Sequence, residues 1–374
     1  MGVVGLGAVA QAVHLPLLAK HPDRFRIDAL CDLSTGTRDA LGARYGVPSA
    51  RRFERGEDLI EADGLDAVAI LTSGSHGSLA TAAARAGLAV FCEKPLAYTL
   101  AEIDELAACG PRLLLGYMKL YDPAVERAAE MFVGRPAPRS IEVTVLHPPS
   151  APQLAHAGLL PMPGDVAPDA LERVLGEESA MTEQALGAVP PWLARLYSDV
   201  LLGSIVHDLA VVRALAGGPL EVDDADVWPA RDADGSLSLL GRLPAGARIS
   251  IRWHYLEYYP AYREEVRVHD EQGTVELVFP APYLLHAPTV LTVVEADGEV
   301  ERTSQTRSTA EAFERQWLAF DALVREGTQP RAAIDEGRED LMVCQAAARV
   351  LAARHDTEVG GEAAAYADRA QPVT

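Results

Sequence analysis

Short apolar runs alternate with amphipathic stretches over roughly the first 116 residues. "GVVGLG" leads into "AVAQAVHLPLLAK", "FRIDALCD" into "GTRDALGARYG", "DAVAILT" into "GSLATAAARAG", and "AVFCEKP" into "TLAEIDELAAC", before "RLLLGYM". Runs that are apolar throughout read as strands buried on both faces, and the segments between them have the periodicity of covering helices. Strand and helix in alternation predict an α/β domain built on a doubly wound parallel sheet. Beyond about residue 120 the pattern changes. "RSIEVTVLH", "VDDADVWPAR", "SLSLLGRL", "ARISIRWHYL", "EEVRVHD", "TVELVFP" and "TVLTVVEA" follow one another at short spacing. Ile249, Ile251 and Trp253 alternate with Ser250, Arg252 and His254, the two-residue period of a sheet with unlike faces. The expected organisation is therefore a doubly wound domain over 1–120 and an α+β domain with an open, mostly antiparallel sheet over 121–374. A Pro-rich and then helical insertion is expected at 148–198, and helices at 308–326 and 333–353.

The length of 374 residues is consistent with two cores rather than one. Against 33 basic side chains stand 54 acidic ones, a net charge of −21, which argues against gripping a nucleic-acid backbone. Cys31, Cys92, Cys109 and Cys344 are scattered and form no CxxC pair, so neither a metal site nor a disulfide framework is expected and a cytoplasmic setting fits best. The apolar first nineteen residues lack a basic leading segment and carry Gln11, His14 and Pro16, unlike a signal peptide. No apolar run reaches the roughly 20 residues of a membrane span.

"GLGAVA" places Gly5, Gly7 and Ala10 as G-x-G-x-x-A between an apolar strand and an apolar helix, the Rossmann arrangement. The first glycine allows the tight turn and the second lets backbone approach a pyrophosphate. The small third residue permits close helix–strand packing, and the helix start, with Ala8 and Val9, offers amides and a favourable dipole. A ligand-free glycine turn is the competing reading. About 20 residues further on, Asp32 closes the second strand, where a carboxylate accepts from the adenosine ribose hydroxyls and repels a 2′-phosphate. NAD is thus favoured as cofactor, with Arg38 keeping NADP open; an exposed aspartate capping a helix is the plain alternative.

These segments, with "DAVAILTSGSHGSLATAAARAGLAVFCEKPLAYTLAEIDEL", "GYMKLYDPA", "HDLAVVRALAG" and "FERQWLAFDALVREGTQPRAAIDEGREDLMVCQAA", resemble the Gfo/Idh/MocA oxidoreductases, the glucose-fructose oxidoreductase and inositol dehydrogenase group. The resemblance covers about two thirds of the chain and fades through the second sheet. It implies a Rossmann domain, an open-sheet domain, an active site in the cleft between them, and a homodimer or homotetramer through the C-terminal sheet. It also implies hydride transfer between NAD(P) and a secondary alcohol or ketone of a sugar, cyclitol or sugar-bearing metabolite. On that pattern Glu93 contacts the cofactor ribose, and Lys94 touches cofactor and substrate and is catalytic. Thr72, Ser73 and His76 line the cofactor loop. His207 shares proton transfer, and Tyr117 and Lys119 belong to the substrate wall.

Strand-end position supports this independently, because ligands of doubly wound sheets bind outside the carboxyl ends of the strands. A partly desolvated lysine there can exchange a proton near neutral pH. Plainer readings remain: a structural Lys94–Glu93 pair, a locally satisfied His76, a core His207. Gly203, Ala210 and Leu120 stand where the family often has polar side chains, so the substrate wall is thinned. His147, His156 and Tyr197, on or beside the insertion, are candidate replacements. A glycoside-cleaving enzyme using transient oxidation, and a non-catalytic NAD-binding sensor, are the competing functions; no motif points to a metal.

Overall fold

The computed structural model describes residues 1–135, 137–160, 164–229 and 234–369. The side chain of His156, part of the insertion at 161–163 and the end of "VDDADVWPAR" lie outside the described residues. Two compact units emerge. The first comprises Met1–Gly116, Leu154–Thr182 and Gln316–Arg338, the second Tyr117–Gln153, Glu183–Arg315 and Glu339–Thr374. Where the sequence pattern placed one boundary near residue 120, the chain interleaves, because residues after 315 supply core to the first unit.

The first unit holds a parallel sheet of β1 (Gly2–Val4), β2 (Ala29–Cys31), β3 (Arg52–Phe53), β4 (Ala67–Ile70), β5 (Ala89–Cys92) and β6 (Leu113–Leu115), in the order β3-β2-β1-β4-β5-β6. Every residue of β1, β2, β4, β5 and β6 is buried, as expected for strands covered on both faces. The order reverses between β1 and β4, and the glycine turn leaves β1 at that switch point. After β1 the chain makes a π-helical turn over Ala10–His14 before the α-helix Leu15–Lys20. The helix after β2, Thr35–Tyr45, begins at Ser34, whose Oγ accepts from Thr37 N, and ends at Gly46 with φ +72°. The helix Leu100–Ala108 starts on a reciprocal capping box between Thr99 and Glu102. Trp317, from the helix Ala312–Glu326, stacks on Phe91 of β5 with centroids 4.0 Å apart, and Leu115 N donates to Ala332 O.

The second unit is built on eight strands: β7 (Ser140–His147), β8 (Glu221–Trp228), β9 (Ser236–Arg242), β10 (Arg248–Tyr255), β11 (Arg263–His269), β12 (Gly273–Phe279), β13 (Val290–Asp297) and β14 (Val300–Arg307). Their order is β14-β13-β12-β11-β7-β10-β9-β8, antiparallel except for β7 beside β10. Ile249, Ile251 and Trp253 are buried while Arg248 and Arg252 are exposed, so the expected alternation holds along β10. Trp253 Nε1 donates to Ser204 Oγ at the end of a π-helical segment, Leu196–Ile205, which runs into the α-helix Val206–Ala216 carrying His207. The insertion contains the helices Ser150–Leu154, Pro168–Leu186 and Pro191–Arg195.

Candidate active site

All eleven of the expected cofactor residues lie in the first unit, in the segments that follow β1, β2, β4 and β5. Gly5 has φ +91°, and a Cβ there would sit 2.6 Å from Thr72 N, so the turn admits only glycine. Gly7 is different: a Cβ built on it meets no protein atom within 4 Å. The space that Gly7 keeps open lies outside the protein, beside the first turn of the helix formed by Ala8, Val9 and Ala10, whose leading amides lack intrahelical acceptors. A pyrophosphate fits that cradle. Asp32 is fixed from both sides, Oδ2 accepting from Leu6 N and Oδ1 from Ser34 N, each at 2.9 Å. A carboxylate has about four lone-pair sites, so acceptor capacity for ribose hydroxyls remains. Arg38 is turned inward, bonding the carbonyls of Asp32 and Leu33 and the hydroxyl of Thr35.

Glu93 and Lys94 follow β5, with a cis peptide between Lys94 and Pro95. Glu93 Oε1 lies 3.0 Å from His14 Nε2, and Lys94 N donates to Oε2 at 3.2 Å. His14 is fully buried, and its Nδ1 accepts the Trp317 indole N–H at 3.2 Å. Indole nitrogen only donates, so Nδ1 carries the lone pair and Nε2 the proton that reaches Glu93. Burial opposes the charge of Glu93, but the His14 hydrogen bond and the Lys94 charge outweigh it and hold the carboxyl below its ordinary range. Lys94 is partly exposed at this strand end.

His76 is also fully buried and braces two loops, Nε2 lying 2.8 Å from Thr72 O and Nδ1 2.6 Å from Pro95 O. Burial pushes its pKa down against the opposing pull of the two carbonyls. Both ring nitrogens are therefore engaged by protein backbone, and the histidine ties the Thr72–Ser73 loop to the loop carrying Lys94.

Within the second unit, Tyr117, Lys119 and His207 are near neighbours. The rings of Tyr117 and His207 meet edge-on at 6.1 Å. Tyr117 is buried and hydrogen-bonds Asp340, which also receives Arg213 through two bonds of 2.6 and 2.9 Å. Lys119 Nζ lies 2.5 Å from Glu264 and 3.9 Å from Asp208. Tyr262 also donates to Glu264, at 2.6 Å. Burial, then the charge of Glu264, pushes Asp208 well above the ordinary carboxylate range, against the opposing charge of Lys119. The motif "GYMKLYDP" thus carries polar groups, but the Tyr117 and Lys119 polar ends are engaged by protein partners. A pocket with about 550 Å³ of empty space, partly open to solvent, adjoins this cluster; Phe279, Leu284 and Phe313 line its apolar side. His147 packs against Trp253, Tyr255 and Tyr262, and Tyr197 is fully buried. No group of three metal-ligating side chains occurs among the described residues.

Sequence reasoning missed His14 and Trp317, although "AVAQAVH" and "ERQW" were both in view. The available signal was a histidine on the core face of the first helix, which on its own reads as packing.

Residues 1–112 match the model of the Gfo/Idh/MocA family, an oxidoreductase family with an NAD-binding Rossmann fold. Inositol 2-dehydrogenase of Salmonella paratyphi B is 33% identical over 127 residues, which is 32% of this chain and 37% of that protein. Matches to the curated relatives thus span well under half of their length. Among solved structures, a probable dehydrogenase from Thermotoga maritima aligns over 96% of this chain and 97% of its own, with TM-score 0.66 and 21% identity. A 3-ketoreductase from Actinomadura kijaniata, in complex with NADP, aligns over 92% and 95%, with TM-score 0.68 and 19% identity. The fold is shared with both.

Proposed function

We propose that this chain, whose residues 1–112 match the model of the Gfo/Idh/MocA oxidoreductase family, is an NAD-dependent oxidoreductase acting on CH–OH groups. Its substrate class is a sugar, cyclitol or sugar-bearing metabolite, interconverted between secondary alcohol and ketone. The observation that carries this reading is the strand-end constellation: an open cradle at Gly7, an oriented carboxylate at Asp32, and Glu93–Lys94 held by a buried histidine. The bound nicotinamide supplies a site that takes or gives hydride at C4. Gly5, Gly7 and Ala10 let backbone amides face the pyrophosphate, and Asp32 accepts from the adenosine ribose. Glu93 stays charged to accept from the second ribose. In the oxidative direction Lys94 takes the hydroxyl proton as the carbinol C–H bond breaks and C=O forms; reduction returns the proton.

Turnover on a panel of cyclitols and sugars with NAD tests this. The Lys94→Ala variant is expected to lose about 10²–10⁴-fold in kcat while still binding the cofactor. Full turnover by that variant would refute the mechanism.

The buried engagement of Tyr117 and Lys119 favours one second reading, a sensor that binds the dinucleotide without turning over. Saturable cofactor binding with no turnover on any panel member, in either direction, is its signature. Co-purified NAD, glycoside cleavage and no net reduced cofactor would mark the glycoside-cleaving mode instead.

A further inference from the structure

The segment Leu154–Thr182 belongs to the first unit, where its described residues reach the chain at three places, after β1, after β2 and after β4. Leu160 N donates to Gln11 Oε1 at 2.9 Å, beside the glycine turn after β1. Asp165 Oδ2 accepts from Gly36 N at 2.7 Å, in the first turn of the helix after β2. The Glu178 carboxylate abuts Gly74, in the loop after β4, so closely that a Cβ there would lie 1.9 Å from Oε1.

The second of these touches carries chemistry. Gly36 is the second residue of the eleven-residue helix Thr35–Tyr45, and its N–H has no acceptor within that helix. Ser34 precedes the helix; its Oγ accepts from Thr37 N, and its hydroxyl proton goes to Asp165. The Ser34 N–H is taken by Asp32 Oδ1. One short turn therefore holds two carboxylates, Asp32 from its own strand and Asp165 from the distant segment. Of the donors at this helix start, Gly36 N–H and Ser34 O–H are both spent on Asp165. Arg38, the cation that sequence offered for a 2′-phosphate, is committed to the Asp32 and Leu33 carbonyls and to Thr35.

We propose that Asp165 is a specificity-determining residue: it occupies the donors that a 2′-phosphate would need and so selects an adenosine ribose with a free 2′-hydroxyl. This rests on the reading that a nicotinamide dinucleotide binds the first unit. A 2′-phosphate would have to displace a carboxylate from two hydrogen bonds and sit between two negative charges. A 2′-hydroxyl needs only an acceptor, which Asp32 supplies. Asp165 itself is exposed on the surface, so replacing it removes no packing.

Equilibrium titration of the full chain with NADH and with NADPH, in wild type, Asp165→Asn and Asp165→Ser, tests the assignment. Wild type is expected to bind NADH more tightly. Both variants are expected to tighten NADPH binding by about 10-fold, the ratio that one lost charge-assisted hydrogen-bond competitor corresponds to. NADH affinity should stay within about 3-fold, as befits a surface carboxylate that does not touch the ribose. If wild type binds NADH and neither variant changes the NADPH-to-NADH ratio, the role of Asp165 is overturned while the dinucleotide reading stands. A wild type that binds neither nucleotide overturns the dinucleotide reading and this inference with it.

Discussion

His14 accepts the Trp317 indole proton through Nδ1 and gives its own Nε2 proton to Glu93, so the first charged residue after β5 is held from behind by a neutral, tautomer-locked ring. Replacing His14 with Leu leaves a largely buried carboxylate oxygen without this donor, a loss of about 1–3 kcal/mol in unfolding free energy; urea denaturation measures it. The same change frees Glu93 to rotate, so cofactor affinity should fall as well. In the second unit, the raised pKa of Asp208 means that it is protonated when folded and ionised when unfolded over a wide pH range. Its contribution to stability is full below the unfolded pKa, near 4, and is lost as pH rises toward the folded value. Asp208→Asn should therefore flatten the decline of Tm as pH rises above the unfolded carboxylate value, near 4, read by calorimetry; an unchanged slope would exclude a raised Asp208 pKa. Lys119→Met should be severe, about 3–5 kcal/mol, because fully buried Glu264 would lose its cation and keep only the Tyr262 hydroxyl. At this scale the sequence disclosed which residues bear charge at the strand ends, but not their partners. The His14–Trp317 bond spans 303 positions, and no local pattern carries it. Tyr117 and Lys119 were located by motif, yet the direction of their polar ends depends on Asp340 and Glu264, far along the chain.

Elements were more legible, because strands buried on both faces must be apolar throughout and strands with one wet face must alternate. β5 reads "AVFC" and is wholly buried, while β10 reads "RISIRWHY" and alternates. Capping signals were equally local: Thr99 followed by Glu102 forms its box, and Thr99→Ala should cost about 1 kcal/mol, measurable as a shift in the denaturation midpoint with an unchanged slope. What the pattern did not disclose is the π-helical turn at Ala10–His14. One changed hydrogen-bond offset barely alters apolar spacing, yet this turn runs directly into His14, and such turns recur at functional sites.

At the scale of the whole molecule, two units and their sheet types followed from the change in periodicity near residue 120. The interleaving did not, since it depends on which distant helix supplies Trp317 to Phe91. A chain cut after residue 120 should accordingly lose cooperative unfolding, because Phe91 and His14 would be left without Trp317. The central claim, a dinucleotide seated on the glycine turn, is tested most directly by titrating NADH into the full-length Gly7→Val variant beside wild type. A Cβ at Gly7 meets nothing in the protein, so Tm should move by no more than about 2 °C. NADH affinity should nonetheless fall by about 100-fold or more, because the added side chain fills the room reserved for pyrophosphate. Unchanged NADH affinity in a folded Gly7→Val protein would contradict the account.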